Sequence, residues 1–195
     1  ELWRGCVGAW NPGLGNTGLV LRDWSGNQNK GVLAGGPTWE TSGGRQALDF
    51  DGVNDEVQCG TTLLNGLAAF TYSVWCYQRT SGAYVGVLGK YASTTSDTEL
   101  ILVGSTILQT VRNGSNTTYR QSASVLTLNQ WQHLVVVFDG TQAVQADRMR
   151  MYRNGVSLSL SANSLPATVT TNVAEFKLGS YPGPSGSRLD GRLDD

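Results

Sequence analysis

The sequence predicts an all-β fold, a two-sheet antiparallel jelly-roll β-sandwich. Three observations lead there. Short runs of alternating apolar and polar residues recur along the 195 residues, with no helical period of useful length. Gly, Asn and Asp separate these runs, and the 25 glycines suit many tight turns. Hydrophobic residues make up 39% of the chain, enough at this length to fill a core between two sheets.

The first clear strand is Ala47-Leu48-Asp49-Phe50, and Glu56 to Cys59 follows the Asp51-Gly52 turn signal. Phe70 to Gln78 places Tyr72, Val74 and Cys76 on one face and Ser73, Trp75 and Tyr77 on the other. Val85 to Leu88 and Glu99 to Val103 come next. Two hairpins are expected. Leu108–Arg112 and Thr117–Gln121 flank Asn113-Gly114, and Arg148–Tyr152 and Val156–Leu160 flank Asn154-Gly155. Asn-Gly suits a type I′ turn, whose two central residues need positive φ. Trp131 to Phe138 is nearly all apolar and reads as a central strand covered on both faces, ended by Asp139-Gly140. Phe176 to Gly179 reads as a late strand, with an irregular loop at Pro182 and Pro184. No linker and no repeat divides the chain, so residues 1–195 read as one domain.

Charged residues are only 15% of the chain, against a usual share of about 25%. The net charge is −1, and three lysines are scattered among eleven arginines. That pattern builds no basic field for nucleic acid. No apolar run approaches the roughly 20 residues of a membrane span, so no membrane insertion is expected. Glu1-Leu2-Trp3-Arg4 has no signal-peptide pattern. Cys6, Cys59 and Cys76 are odd in number, so at least one stays unpaired in a monomer; each reads as a small apolar residue, and one pair could still bridge.

Several segments, in order, resemble the laminin-G-like domains of the concanavalin-A-like lectin/glucanase superfamily. Gly8-Ala9-Trp10 and Leu21 to Gly31 are similar to that family's opening strand and its D-x-S-G-N loop. Ala47 to Val57 resembles A-L-x-F-D-G-x-x-D-x-V, and Phe70 to Trp75 the strand after it. Trp131 to Gly140 is similar to the W-x-H-V-A strand, Met151 to Gly155 to the Y-x-N-G hairpin, and Leu189 to Asp195 to the closing G-x-I-D-D. In the family an apolar strand follows that acidic pair. Here the sequence stops at Asp195, which leaves an expected C-terminal sheet edge open to strand addition or homo-oligomer contact.

The resemblance implies a structural calcium tying the opening loop to the closing acidic turn, with Asp23, Asn27 and Asp195 as ligands beside carbonyls near Gly31. Calcium takes six to eight oxygens. The alternative is that Asp23 and Asn27 form Asx turns and that Asp51 serves its own β-turn. His133 is the single histidine. It shares a strand face with Trp131, Val135 and Val137 and is read as a core residue, with no second histidine for a zinc site or catalytic triad.

Glucanases of this fold carry paired acids on one strand as E-x-D-x-x-E. Here Asp97 and Glu99 share a face but no third acid follows, and Asp190, Asp194 and Asp195 sit at the closing turn. No catalysis is expected. Trp24, Trp39, Tyr84, Tyr91 and Tyr181 lie in predicted loops and are the candidates for stacking against a sugar, unless they only cover the sandwich ends; Trp10, Trp75 and Trp131 are expected in the core. The predicted function is a non-catalytic binding or adhesion module for a glycan or surface protein, placed extracellularly or on a particle or virion surface. A virion-decoration or filament subunit is the alternative reading, and a glycoside hydrolase a third.

Overall fold

The structure is a computed structural model that describes residues 4–14, 18–114, 118–181, 183 and 187–194. The strands in chain order are β1 (Val20–Leu21), β2 (Gly31–Ala34), β3 (Thr38–Ser42), β4 (Arg45–Asp51), β5 (Glu56–Gln58), β6 (Ala69–Gln78), β7 (Val85–Ser93) and β8 (Ser96–Val103). They continue as β9 (Thr106–Thr110), β10 (Arg112–Asn113), β11 (Tyr119–Gln121), β12 (Trp131–Asp139), β13 (Met149–Arg153), β14 (Val156–Ser157), β15 (Lys177–Leu178) and β16 (Asp190–Asp194).

Among the described residues these strands form two antiparallel sheets. One runs β1-β2-β5-β15-β7-β8-β9-β11, with β10 pairing β8; the other runs β14-β13-β12-β6-β16-β4-β3. This is the expected two-sheet sandwich. The inner faces meet in one apolar cluster that includes Leu48, Phe50 and Val57 with Leu100, Leu102, Leu134, Val136 and Phe138. The alternation of β6 places Tyr72, Val74 and Cys76 inside, as the sequence predicts.

The sequence names most of the long strands and errs in three places. First, β12 is central, between β6 and β13, but only one face is covered. Gln132, Leu134, Val136 and Phe138 are buried, while Trp131, His133, Val135 and Val137 are half-buried on the outer face. His133 is therefore an outer-face residue. Its ring stacks on Trp75 at 5.0 Å, and its Nε2 lies 2.9 Å from the Ser73 hydroxyl. Trp131 packs edge-on against Tyr77 at 5.6 Å. Trp75 and Trp131 are thus paired across strands on the sheet surface, not in the core. An unbroken apolar run looks the same whether its second face meets another layer or only its cross-strand neighbours.

Second, the segment expected to be a closing acidic turn is strand β16. It inserts between β4 and β6, with Leu193 opposite both Leu48 and Cys76. Third, Trp39 lies on β3 and not in a loop. The Asn154-Gly155 hairpin forms as expected, with φ of 50° and 79°. At the other predicted hairpin β9 and β11 do pair, but Arg112 and Asn113 are diverted to β8, and residues 115–117 lie outside the described residues.

The cysteines are free; Cys59 and Cys76 are buried and Cys6 is intermediate. Burial pushes the Cys76 thiol up to about 12.

Candidate functional site

Strands β7 and β8 pair so that Tyr91 faces Asp97 and Gly89 faces Glu99. Leu100 and Leu102 of β8 enter the core, so strand alternation sends Asp97, Glu99 and Ile101 to the opposite, outer face of that sheet. Tyr84 stands just before β7 and Tyr181 shortly after β15. Their rings stack at 6.0 Å with an interplanar angle of 23°, and Tyr91 meets Tyr181 edge-on at 6.0 Å. Three of the five predicted aromatics therefore converge. A cavity of about 180 Å³ opens beside them, lined by Tyr84 and Tyr181 together with Tyr119, Gln121, Thr110 and Arg112.

Beneath these rings lies a buried polar floor. Asp97 is 0% exposed and ion-pairs with Arg112. Glu99 is 2% exposed, and its Oε2 has no hydrogen-bond partner among the described residues. Its main-chain N–H donates to the Thr110 hydroxyl at 3.0 Å. Gly89 makes room for Glu99: a β-carbon there would come within 3.0 Å of the Glu99 Cβ and closer still to the Thr98 carbonyl, at a φ of 144°. Burial holds the Glu99 carboxyl well above the usual carboxylate range, and the Asp97 charge adds to the rise. Burial also raises Asp97, against hydrogen bonding from Thr110 and the charge of Arg112. The Tyr181 phenol is pushed up to about 12, first by burial and then by Glu99 and Asp97. It remains a hydroxyl donor at neutral pH. Tyr84 is 41% exposed and presents its ring to solvent.

The other two predicted aromatics lie elsewhere. Trp24 follows β1 at the sheet edge, four strands from β7, or about 19 Å at the usual strand spacing. The Arg22 guanidinium covers its ring at 4.2 Å. Trp39 belongs to the other sheet, where its indole N–H donates to the Gly18 carbonyl and its ring packs against the core. Tyr119 was missed by the sequence reading. Its signal is the alternation in Tyr119-Arg120-Gln121, which sends Tyr119 and Gln121 to one face.

The proposed calcium ligands can be tested against the donors around them. Asp23 Oδ1 accepts the N–H groups of Ala9 and Ser25, both at 2.9 Å. Its Oδ2 accepts the Ser25 hydroxyl at 2.9 Å and the Asn29 N–H at 2.8 Å. Burial raises the Asp23 pKa, but these four donors outweigh it and the net shift is downward. A carboxylate offers about four lone-pair sites, and all are taken. Asn27 directs its side-chain NH₂ to the Cys6 carbonyl at 2.8 Å. Asp195 lies outside the described residues. Asp23 and Asn27 as arranged brace the opening loop and do not fit a cation. Asp51 serves its own turn, accepting from Val53 at 2.8 Å.

The comparisons come to the same fold. A family model described as the concanavalin A-like lectin/glucanases superfamily, laminin-G type, matches residues 51–195. The chain belongs to this family. A search of curated proteins returned no match.

Among solved structures, domain 4 of AbnA, a GH43 extracellular arabinanase from Geobacillus stearothermophilus in complex with arabinotriose, aligns at a TM-score of 0.70. The identity is 16%, over 95% of this chain and 88% of that one. The binding domain of Paraclostridial Mosquitocidal Protein 1 aligns at 0.67 with 13% identity, over 100% of this chain and 49% of that one. The binding domain of botulinum neurotoxin DC in complex with SialylT aligns at 0.66 with 10% identity, over 99% of this chain and 46% of that one. This laminin-G-type chain thus spans about half the length of those toxin domains. At these identities the likeness concerns the fold.

Proposed function

We propose that this chain is a non-catalytic recognition module that takes a sugar ring of a glycan in the tyrosine-lined recess on the outer face of the β7–β8–β9 sheet. The observation that carries the reading is the convergence of Tyr84, Tyr91 and Tyr181 over the buried Asp97–Arg112 pair. Aromatic faces pack against the C–H face of a sugar, and phenol, amide and guanidinium groups at the rim bond its hydroxyls. At about 180 Å³ the recess is smaller than the ~300 Å³ or more of a drug-sized pocket, which suits one ring or a chain end. Solved members of the fold described in complex with arabinotriose and with SialylT support a carbohydrate ligand. The same comparisons support display outside the cell.

Hydrolysis by a carboxyl pair requires both groups to reach the scissile bond. Asp97 and Glu99 are shut beneath the rings, so the reading is one of binding. A glycan array followed by titration calorimetry tests it. Tyr84→Ala and Tyr181→Ala are expected to weaken the identified sugar about tenfold or more, while Trp24→Ala leaves the affinity unchanged. Equal binding by all three variants would sink the proposal. A protein receptor is a second reading, favoured by the neurotoxin DC binding domain described in complex with rat synaptotagmin II. An array with no hit and a pull-down dependent on Tyr84 would select it.

A further inference from the structure

The seven-stranded sheet has a gap in it. Strand β16 separates β4 from β6, so these two stand about two strand spacings, or ~9.5 Å, apart. But β16 reaches only as far as Asp194, opposite Trp75. From Ala69 to Val74, β6 pairs with β12 on one side and with no described residue on the other. Across the gap, Arg45–Ala47 of β4 are likewise paired only with β3. Half of the main-chain N–H and C=O groups along this stretch of β6 thus face a space one strand wide. Unpaired main chain at the middle of a sheet is rare, because these groups are obligatory hydrogen-bonding partners.

The space beneath the gap is apolar. A cavity of about 760 Å³ lies against Phe70, Tyr72, Phe138 and Phe176, and a second of about 110 Å³ lies against Val74, Leu48 and Leu193. The Tyr72 hydroxyl beside them is buried and has no hydrogen-bond partner among the described residues. Well-packed cores do not hold voids of this size.

We infer that the gap is a strand-acceptor site: it takes one extended peptide strand of about six residues, antiparallel to β6, with apolar residues at every second position. Main-chain groups on both walls call for a polypeptide, since neither a sugar nor a lipid chain can satisfy two strand edges at once. Directly opposed residues share a face, so the positions across from Phe70, Tyr72 and Val74 point into the cavities and are apolar. Those across from Thr71 and Ser73 point to solvent and are polar.

The test uses the intact chain and two synthetic six-residue peptides, one alternating valine and threonine and one of threonine alone. At about a hundredfold excess over its Kd, the alternating peptide is expected to raise the Tm by about 5 °C or more. It should also slow hydrogen exchange of the gap-facing amides within Ala69–Val74 at least about tenfold. The all-threonine peptide is expected to do neither. No shift with the alternating peptide, an equal effect of both peptides, or protection confined to other strands would each overturn the inference. The tyrosine recess is on the other sheet, so the two proposals stand or fall separately.

Discussion

At the scale of single residues, Glu99 carries the clearest consequence. Its carboxyl is buried without a cation of its own, and its pKa lies well above the ordinary value. A carboxyl whose folded pKa is raised favours the fold fully below its unfolded pKa near 4.3, and that contribution is lost as pH rises through the folded value. Glu99→Gln keeps the shape and removes the titration. The variant is expected to hold a higher Tm than the parent at pH 8 and a flatter Tm profile between pH 4 and 8. Identical profiles would show that Glu99 is solvated or paired. Asp23 behaves in the opposite way. Four donors hold it ionised, so its contribution is lost as pH falls through its depressed pKa. Asp23→Ala is expected to cost about 2–4 kcal/mol in chemical denaturation, because it strands several buried donors. A chelator is expected to leave the parent's Tm unchanged. A Tm that falls with chelator and returns with calcium would show that Asp23 gives up its donors to a cation.

At the scale of elements, the β13–β14 hairpin isolates one backbone effect. Gly155 has a φ of 79° and open space around the position of a β-carbon, so Gly155→Ala meets no clash. Its expected cost is the conformational one alone, about 1–2 kcal/mol in urea melts. This turn was legible because Asn-Gly encodes its geometry locally. The long strands were legible because alternation is local too: β6 reads correctly residue by residue. The outer face of β12 was not legible. Val135 and Val137 are apolar whether a third layer covers them or only Trp75, His133 and their neighbours do, and that choice is made by elements far away in sequence. The same holds for β16. Asp190, Asp194 and Arg192 read as turn residues, yet the strand is stabilised from both sides. Arg192 lies within 2.9 Å of Glu40 and 2.7 Å of Asp49, and Arg45 within 2.9 Å of Asp194. Of the candidate site, the tyrosines were legible as aromatics between strand signals. Their meeting point was not, because it depends on β15 joining β7 from nearly a hundred residues away.

At the scale of the whole molecule, the sandwich sets one sheet's outer face against the other's. The β12–β6 side is braced by cross-strand rings and by Arg79, which bridges Asp49 at 2.6 Å and Asp190 at 2.5 Å. The β7–β8 side instead keeps a recess above buried acids. With a net charge of −1 the molecule exerts little long-range field, so sugar binding at the recess is expected to change less than about twofold in Kd between 50 and 500 mM salt. A tenfold loss would point to an anionic ligand held by Arg112. The most direct test of the recess is amide and side-chain NMR of the chain titrated with the sugar an array selects. The account predicts shifts centred on Tyr84, Tyr119 and Tyr181, with Trp24 and Trp75 unmoved. Shifts centred on the Trp75–His133 face or on the opening loop around Trp24 would contradict it.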